Sequence, residues 1–251
     1  MILSMKKRIQ ESLTQQRNRV LKNEYLAHVI SQTLNKIETQ ACISTSKEIE
    51  ELRVLEIGSA GGITKTLKPN WTTSDIRNCE GVDVIASATK MPFQDNSFDL
   101  IIGIDVLHHI NDLGKLLIEL NRISTKNGLI AFREPYWSFP AQLIWRYVHP
   151  EDFSLRRLRK NIVFQTPMEG NQALAWAMLR KKSIGFSFEP RNFSIHEVSI
   201  ETGLAFVLSG GATFTSPVST NFLINLHKLE MRNKLWMKFF GISILFYLKK
   251  V

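Results

Sequence analysis

Residues 54–65, VLEIGSAGGITK, decide the fold. A hydrophobic run ends at the acid Glu56, and three glycines follow closely, at Gly58, Gly61 and Gly62. Glycine loses the most conformational entropy in regular structure, so this cluster indicates a tight turn between a buried strand and a helix, where a ligand approaches free N–H groups. The spacing matches neither a dinucleotide-binding loop nor a P-loop. An acid at this point suits a ligand with an ammonium group better than a pyrophosphate.

Apolar stretches on both sides of this turn predict a parallel sheet covered by helices. The predicted strands are RVLEIG (53–58), WTTSDI (71–76), GVDVIASA (81–88), FDLIIGID (98–105), GLIAFRE (128–134) and the final GISILFYLKKV (241–251). Four segments follow: a helical N-terminal extension (1–50), a ligand-binding core (51–135), a helical insertion or lid (136–192) and C-terminal strands that complete the sheet (193–251).

The composition is that of an ordinary soluble globular protein, with 44% hydrophobic and 22% charged residues. Cys42 and Cys79 form neither a disulfide framework nor a metal-ligand spacing, which favours a reducing compartment. The first residues lack the apolar core of a signal peptide, and the longest apolar stretch, residues 235–248, is too short for a spanning helix. These features predict a cytoplasmic protein.

The net charge of +9 favours acidic partners such as nucleic acid, anionic lipid or a phosphorylated substrate. Solvated surface is the simpler explanation of the basic clusters. Those in the predicted insertion are Arg156, Arg157, Arg159 and Lys160, followed by Arg180, Lys181 and Lys182.

Three segments of the core together resemble class I S-adenosylmethionine-dependent methyltransferases of the type 11 kind. VLEIGSAGG resembles the family's first motif, acid-x-Gly-x-Gly-x-Gly, with Ala60 in place of the middle glycine. SATKMPFQDNSFDLIIGIDVLHHI (87–110) resembles its third-strand to fourth-strand region, and NGLIAFREP (127–135) its fifth strand. The resemblance covers residues 53–135. It implies S-adenosylmethionine as the cofactor and a Rossmann-like, doubly wound α/β sheet of seven strands with the last strand antiparallel.

The resemblance assigns a cofactor site along the carboxyl ends of the strands. An acid that closes the second strand should hold the ribose diol, and Asp75 fits better than Asp83, which would leave no room for a third strand; a turn residue is the alternative. The family often has an acid where this chain has Ser87, whose hydroxyl accepts without charge assistance. The expected cofactor residues are Glu56, Gly58, Ser59, Ala60, Gly61, Gly62, Asp75, Ile76, Ser87, Ala88 and Asp105, the last of which could equally be a helix N-cap.

The region after the fourth strand bears on the reaction. It reads Ile104-Asp105-Val106-Leu107 and lacks the Asn-Pro-Pro-Tyr or Asp-Pro-Pro-Tyr clamp of many base N-methyltransferases, which argues against nucleic acid as the acceptor. No zinc or magnesium ligands are apparent, and no metal is expected. The candidate general bases for an acceptor hydroxyl are His108, His109 and Glu134, for each of which a structural role is the alternative.

Residues 133–154, REPYWSFPAQLIWRYVHPEDFS, loosely resemble methyltransferases of bacterial surface-polysaccharide pathways. That likeness implies an acceptor pocket lined by Tyr136, Trp137 and His149; aromatic packing of a lid on the core is the alternative.

Three functions remain open. The first is O-methylation of a small-molecule, glycan or lipid-linked acceptor, the second is RNA methylation, and the third is non-catalytic cofactor binding. The basic clusters and interleaved tryptophans further suggest peripheral contact with the cytoplasmic membrane surface, against a soluble lid as the alternative. The oligomeric state stays unassigned.

Overall fold

The computed structural model describes residues 13–147, 151, 153–159, 169–179, 192–212 and 214–250. Its centre is a seven-stranded sheet of order β3-β2-β1-β4-β5-β7-β6, in which only β7 runs antiparallel to its neighbours. The strands are β1 (Val54–Ile57), β2 (Thr72–Asp75), β3 (Val84–Ile85), β4 (Phe98–Ile104), β5 (Ser124–Pro135), β6 (Phe193–Thr202) and β7 (Ser243–Lys250). The predicted sheet with an antiparallel last strand is therefore confirmed.

Helices lie on both faces of this sheet. They are α1 (Leu13–Lys22), α2 (Glu24–Thr45), α3 (Ile63–Leu67), α4 (Leu113–Ile123), α5 (Phe139–Tyr147), α6 (Leu155–Arg159), α7 (Leu174–Leu179), α8 (Leu204–Leu208), α9 (Thr220–Arg232) and α10 (Lys234–Phe240). Asn23 caps α2, because its side chain accepts a hydrogen bond from Leu26 N.

The central strands are buried on both faces, which explains their continuous apolar sequences. In β4, Leu100 and Ile102 pack with Leu34 and other residues of α2, whereas Ile101 points to the opposite face and packs with α4. Alternate residues of one strand thus join two separate cores.

Two parts of the fold differ from the sequence expectation in detail. Residues 193–251 were expected to supply strands, but between β6 and β7 they also form α8, α9 and α10. The exposed faces of α9 and α10 carry apolar side chains, which obscures their helical pattern in the sequence. The third strand is only two residues long, and the β2–β3 connection contains no helix.

Three helices, α5, α6 and α7, lie within the predicted insertion. His149, Lys160, Arg180, Lys181 and Lys182 fall outside the described residues.

Asp99, near the start of β4, forms hydrogen bonds with the segment that follows α2. Its buried carboxylate accepts hydrogen bonds from Lys47 Nζ at 2.9 Å and from the backbone and guanidinium of Arg53 at 3.0–3.2 Å. Burial raises the pKa of Asp99, but the hydrogen bonds from Arg53 and Lys47 outweigh it and bring the pKa down to about 2. The charged carboxylate therefore stabilises the fold.

Asp99→Asn is expected to lower the free energy of unfolding by about 2 kcal/mol at pH 7, because the folded pKa lies below the unfolded value of about 3.9. A group with a depressed pKa contributes fully above its unfolded pKa and loses that contribution as the pH falls through the folded value. The difference between parent and variant should therefore shrink from about pH 4 towards pH 2. Urea unfolding at several pH values measures it.

Asp95→Asn is the matched control, because the Asp95 side chain is 68% exposed and pairs with the partly exposed Arg122. It should change stability by less than about 0.5 kcal/mol. Equal effects of the two substitutions would contradict the role given to Asp99.

Candidate functional site

The turn between β1 and α3 is held by its own backbone and by its neighbours. Ser59 N donates to Ser74 O at 3.0 Å, and Ala60 N donates to the carboxylate of Asp75 at 3.0 Å. Gly58 has φ +67°, and a Cβ there would lie 2.1 Å from Val106 Cγ2. Besides leaving space for a ligand to approach the backbone, Gly58 lets the turn contact the loop after β4.

Two polar atoms in this turn are buried without a partner among the described residues. Glu56 Oε1 accepts from Thr64 Oγ1 at 2.7 Å, but Glu56 Oε2 and Ser59 Oγ have no hydrogen-bond partner. Burial raises the pKa of Glu56 to about 7, the hydroxyl of Thr64 opposes the rise, and the charge of Asp75 adds to it. An unpaired buried oxygen is costly, so the site fits a ligand that donates hydrogen bonds or carries positive charge.

Asp75 closes β2, as predicted, and its carboxylate lies beside the glycine turn. Oδ1 accepts from the backbone and Nε of Arg77, and Oδ2 from Ala60 N and Arg77 Nη2, at 2.8–3.2 Å. Burial raises the pKa of Asp75, but Arg77 and Ala60 more than compensate and the pKa lies below its usual value. The carboxylate is thus charged and covered by the Arg77 guanidinium.

The other residues expected on the adenine side of the cofactor are Ile76, Ser87 and Ala88, and their side chains differ in exposure. Ile76 is 55% exposed directly after Asp75. The Ser87 hydroxyl lies 2.9 Å from Thr89 Oγ1, and Ala88 packs against the core. Ile76 therefore offers an open apolar surface, whereas the Ser87 hydroxyl already has a partner.

Asp105 follows β4 and adopts a left-handed backbone with φ +51°. Its backbone N–H donates to Arg133 O at 2.8 Å, and Arg133 Nη1 donates to Asp105 Oδ2 at 3.2 Å. The side chain of Asp105 is 51% exposed while that of Arg133 is buried. Asp105 is thus not the cap of a helix, and its carboxylate is accessible at the edge where ligands bind in open α/β sheets.

Glu134 lies at the end of β5 and is fully buried. Its Oε1 accepts from the backbone N–H groups of Val106 and Leu107 at 3.0 and 2.7 Å, and its Oε2 lies 2.6 Å from His108 Nδ1. The carboxylate therefore holds the loop after β4 from inside the protein, out of reach of an acceptor.

His108 and His109 stand on a single 3₁₀ turn and have different partners. His108 is buried, and its Nε2 lies 3.0 Å from Glu151 Oε2. Burial lowers the pKa of His108, but the charges and hydrogen bonds of Glu134 and Glu151 raise it to about 10. His109 Nδ1 donates to Glu169 O at 2.9 Å, and its Nε2 lies 3.7 Å from Glu151 Oε1. Burial and the neighbouring His108 lower the pKa of His109.

The two described acceptor-pocket candidates begin the segment after β5. Tyr136 N donates to Ile242 O at 2.8 Å, and the Tyr136 side chain is partly buried against the core. The Trp137 ring contacts Phe153 and Trp176, with ring centroids 4.7 and 4.1 Å away. Trp137 therefore belongs to an aromatic cluster that joins three parts of the insertion.

Sequence reasoning missed Arg77, Arg133 and Glu151. Glu151 is 43 residues from His108 along the chain, and no local spacing connects them. A charge beside an expected ligand acid, as in Asp75-Ile-Arg77, was the available signal for Arg77.

The N-terminal extension covers one side of the glycine turn. A Cβ on Gly61 would lie 3.1 Å from Leu13 O, and Arg17 of α1 pairs with Glu80 of the β2–β3 loop at 2.8 Å. Helix α1 is thus part of the wall of the candidate site.

The central part of the chain is similar to known methyltransferases. Residues 63–132 match the family described as "Methyltransferase domain". An uncharacterized methyltransferase of Schizosaccharomyces pombe is 29% identical over 99 residues, 38% of this chain and 34% of that protein. A phthiotriol/phenolphthiotriol dimycocerosates methyltransferase of Mycobacterium ulcerans is 27% identical over 109 residues, 36% and 40% of the two chains.

A malonyl-[acyl-carrier protein] O-methyltransferase of Legionella pneumophila is 34% identical over 76 residues, 28% of this chain and 27% of that protein. The alignments thus span between 27% and 40% of these relatives. The match of residues 63–132 supports the predicted methyltransferase class of this part of the chain and, with it, S-adenosylmethionine as the cofactor; the individual site residues stay predictions.

Gly58→Ala should lower the affinity for S-adenosylhomocysteine at least about tenfold, because a left-handed residue with a side chain costs about 1–2 kcal/mol and the new Cβ meets Val106. Calorimetry on folded protein measures the affinity. Gly114→Ala is the control, since a Cβ there makes only an ordinary 3.4 Å contact with Asp112. A folded Gly58→Ala protein that binds like the parent would show that the turn does not form the cofactor site.

Proposed function

We propose that this chain, which carries a class I S-adenosylmethionine-dependent methyltransferase domain, transfers the cofactor's methyl group to an oxygen of a small-molecule, glycan or lipid-linked acceptor. The observation that carries the proposal lies at the end of β1 and in the turn that follows it, where Glu56 Oε2 and Ser59 Oγ are buried beside Asp75 without hydrogen-bond partners in the described part of the chain. This turn lies at the carboxyl end of the sheet, where open α/β folds bind ligands.

The cofactor is held from both ends in this proposal. The carboxylate of Glu56 faces the cationic amino-acid end, and Asp75 accepts from the ribose hydroxyls in place of the Arg77 guanidinium. The Arg77 side chain is 29% exposed and therefore has room to turn towards solvent. Ile76 covers the adenine, and the adenine edge meets Ser87 and Ala88.

The acceptor side lies at the ends of β4 and β5. Asp105 is accessible there, Tyr136 and Trp137 begin the adjoining segment, and His149, also expected to line this side, is outside the described part of the chain. Two relatives are named for acceptors that include dimycocerosates and a malonyl group on an acyl carrier protein, which supports a non-nucleic-acid acceptor and, in the second case, O-methylation.

The three candidate bases divide into two roles. Glu134 is fully buried and His108 nearly so, with both ring nitrogens facing carboxylates, so these two position the loop after β4. The His109 ring is 21% exposed, which supports a position for the acceptor oxygen at the His109–Glu151 end of the cluster. Holding that oxygen in line with the methyl group supplies much of the acceleration.

An exposed face with apolar and basic side chains supports contact with a membrane surface. Helices α5 and α10 pack together and expose Phe139, Leu143 and Tyr147 on one and Leu235, Trp236 and Phe239 on the other. Helices α9 and α10 also expose the basic residues Lys228, Arg232, Lys234 and Lys238, of which Lys228 and Arg232 line a groove with residues of α2. We name these ten residues the basic apolar face.

Within the segment that forms α9 and α10, acidic residues do not offset this charge. Glu230 is the only acid between Thr220 and Phe240, and it is buried with its carboxylate accepting from Leu204 N, Ala205 N and Trp236 Nε1. Each basic residue near an anionic leaflet contributes about 1 kcal/mol. No helix in the described ranges is long and apolar enough to cross a bilayer. Attachment would therefore be peripheral and reversible.

The sequence links the tryptophans and basic clusters of the insertion to a membrane. In the structure Trp137 and Trp176 pack on one another. Of the basic clusters, only Arg156 and Arg157 have side chains in the described part of the chain. The basic apolar face replaces them as the basis of this part of the proposal.

Glu56→Gln should lower the affinity for S-adenosylmethionine at least about tenfold at pH 7, because it removes the charge but keeps the oxygen that accepts from Thr64. The parent carboxyl, with a pKa of about 7, gains charge as the pH rises. The affinity of the parent should therefore rise about tenfold from pH 5.5 to pH 7, while the affinity of the variant stays level. The α-amino group of the cofactor keeps its proton over this range, because its pKa is higher. Calorimetry measures both.

Transfer of label from methyl-tritiated S-adenosylmethionine to lipid-soluble and aqueous extract fractions tests the reaction itself. The parent and the surface control Asp95→Asn should label the same compound, and Glu56→Gln should label it much more slowly. Binding of the cofactor by the parent without transfer to any fraction would oppose the enzymatic function.

Leu235→Ser with Phe239→Ser, and separately Lys234→Gln with Lys238→Gln, should each weaken binding to anionic phosphatidylglycerol vesicles several-fold at low salt. Vesicle flotation measures this, with neutral phosphatidylcholine vesicles and high salt expected to give little binding. Ile118→Ser and Lys115→Gln on α4 are matched controls, because those side chains are 69% and 72% exposed. Equal binding by all variants would exclude the basic apolar face.

A further inference from the structure

We propose that His108, His109 and Glu151 bind a divalent transition-metal ion of the zinc type, which holds the acceptor oxygen. The proposal rests on the proposed function and adds to it a ligand that the sequence analysis did not expect. One ligand atom of each residue lies within 4.8 Å of the others.

The distances suit a small ion. Ligand atoms 2.0–2.2 Å from a tetrahedral ion lie about 3.3–3.6 Å apart. His108 Nε2 lies 3.0 Å from Glu151 Oε2, and His109 Nε2 lies 3.7 Å from the other oxygen of the same carboxylate, Glu151 Oε1. One distance lies below that range and the other above it, so side-chain movement would complete the site around an ion. Without an ion, a hydrogen bond joins His108 Nε2 and Glu151 Oε2. A bound ion would replace the proton of that hydrogen bond.

The outer partners of both histidines are those of metal ligands. A ligating histidine donates its other ring N–H to a carboxylate or a backbone carbonyl, which fixes the ring and directs the remaining nitrogen at the ion. His108 Nδ1 lies 2.6 Å from Glu134 Oε2, and His109 Nδ1 donates to Glu169 O at 2.9 Å. Both Nε2 atoms therefore point towards Glu151.

The Glu151 carboxylate is also held in a fixed orientation, and the absence of a side chain at Gly170 leaves space beside it. Gln172 Nε2 donates to Glu151 Oε2 at 2.8 Å and so orients the carboxylate. A Cβ on Gly170 would lie 2.9 Å from atoms of both histidine rings and 3.1 Å from Glu151 Oε2, so any larger residue would enter the cluster.

The donor set identifies the class of ion. Two imidazoles and one carboxylate suit zinc and its first-row neighbours rather than calcium or magnesium, which prefer oxygen ligands. Three protein ligands leave a fourth position open, as in catalytic zinc sites. A hydroxyl bound there would have a lowered pKa and would release its proton to water, so the acceptor needs no exposed protein base. The resulting oxygen would form a bond to the methyl carbon as the bond from that carbon to the cofactor's sulfur breaks, which leaves S-adenosylhomocysteine.

The test uses full-length protein stripped with a chelator and titrated with zinc against a chromogenic competitor. The parent should bind one zinc per chain. His109→Ala and Glu151→Gln should bind it on the order of 100-fold more weakly, and the control His196→Ala, whose histidine bonds Ser194 on β6, should match the parent. Cobalt loaded in place of zinc should give the strong visible absorption of a tetrahedral site in the parent and in His196→Ala only.

Calorimetry with S-adenosylhomocysteine shows that each variant is folded and separates the two proposals. A parent that takes up no stoichiometric zinc, or variants that bind zinc as tightly as the parent, would overturn the metal site. A parent that binds one zinc through these residues but methylates nothing would leave the site standing and remove the proposed function.

Discussion

The buried carboxylate of Glu134 is the interaction on which the candidate site depends. It receives two backbone N–H groups and His108, all from the loop after β4, and it does so without contact with solvent. Removing it would leave buried donors unpaired at about 1–3 kcal/mol each. Because Val106 of that loop also contacts the glycine turn, one carboxylate at the end of β5 fixes the position of two loops at the ends of β4 and β1.

Burial of acids makes the surface more basic than the sequence suggests. At least eight acidic side chains lie inside the protein: Glu38, Glu56, Asp75, Asp99, Glu119, Glu134, Glu201 and Glu230. Arg133 is the only buried lysine or arginine in the described part of the chain. The solvent-facing charge is therefore more positive than the formal +9, and a basic surface arises from where the acids are placed as much as from the number of lysines and arginines.

The positions of the core strands along the chain, the glycine turn and the place of Asp75 at the end of β2 could be predicted, because a buried strand that ends in a turn leaves a continuous apolar pattern in the sequence. Three features were missed, each for a different reason. Helices α9 and α10 expose apolar residues that blur their periodicity, Arg77 covers the acid beside it, and Glu151 meets His108 only in the folded chain. The structural reason for Gly58, a neighbour from another loop, is likewise invisible in local sequence.

The place of β7 between β5 and β6 sets the order in which the sheet can be completed during synthesis. A ribosome delivers β5 by residue 135 and β7 only from residue 243, so the growing chain carries an open edge on β5 while more than a hundred further residues emerge. In the described part of the chain β6 pairs only with β7, so β6 also stays unpaired until β7 has been synthesised. Such an edge is a template for wrong pairing, and pairings so distant in sequence form slowly. The nascent chain therefore has a window, closed only by its last strand, in which chaperones rather than its own fold protect the sheet.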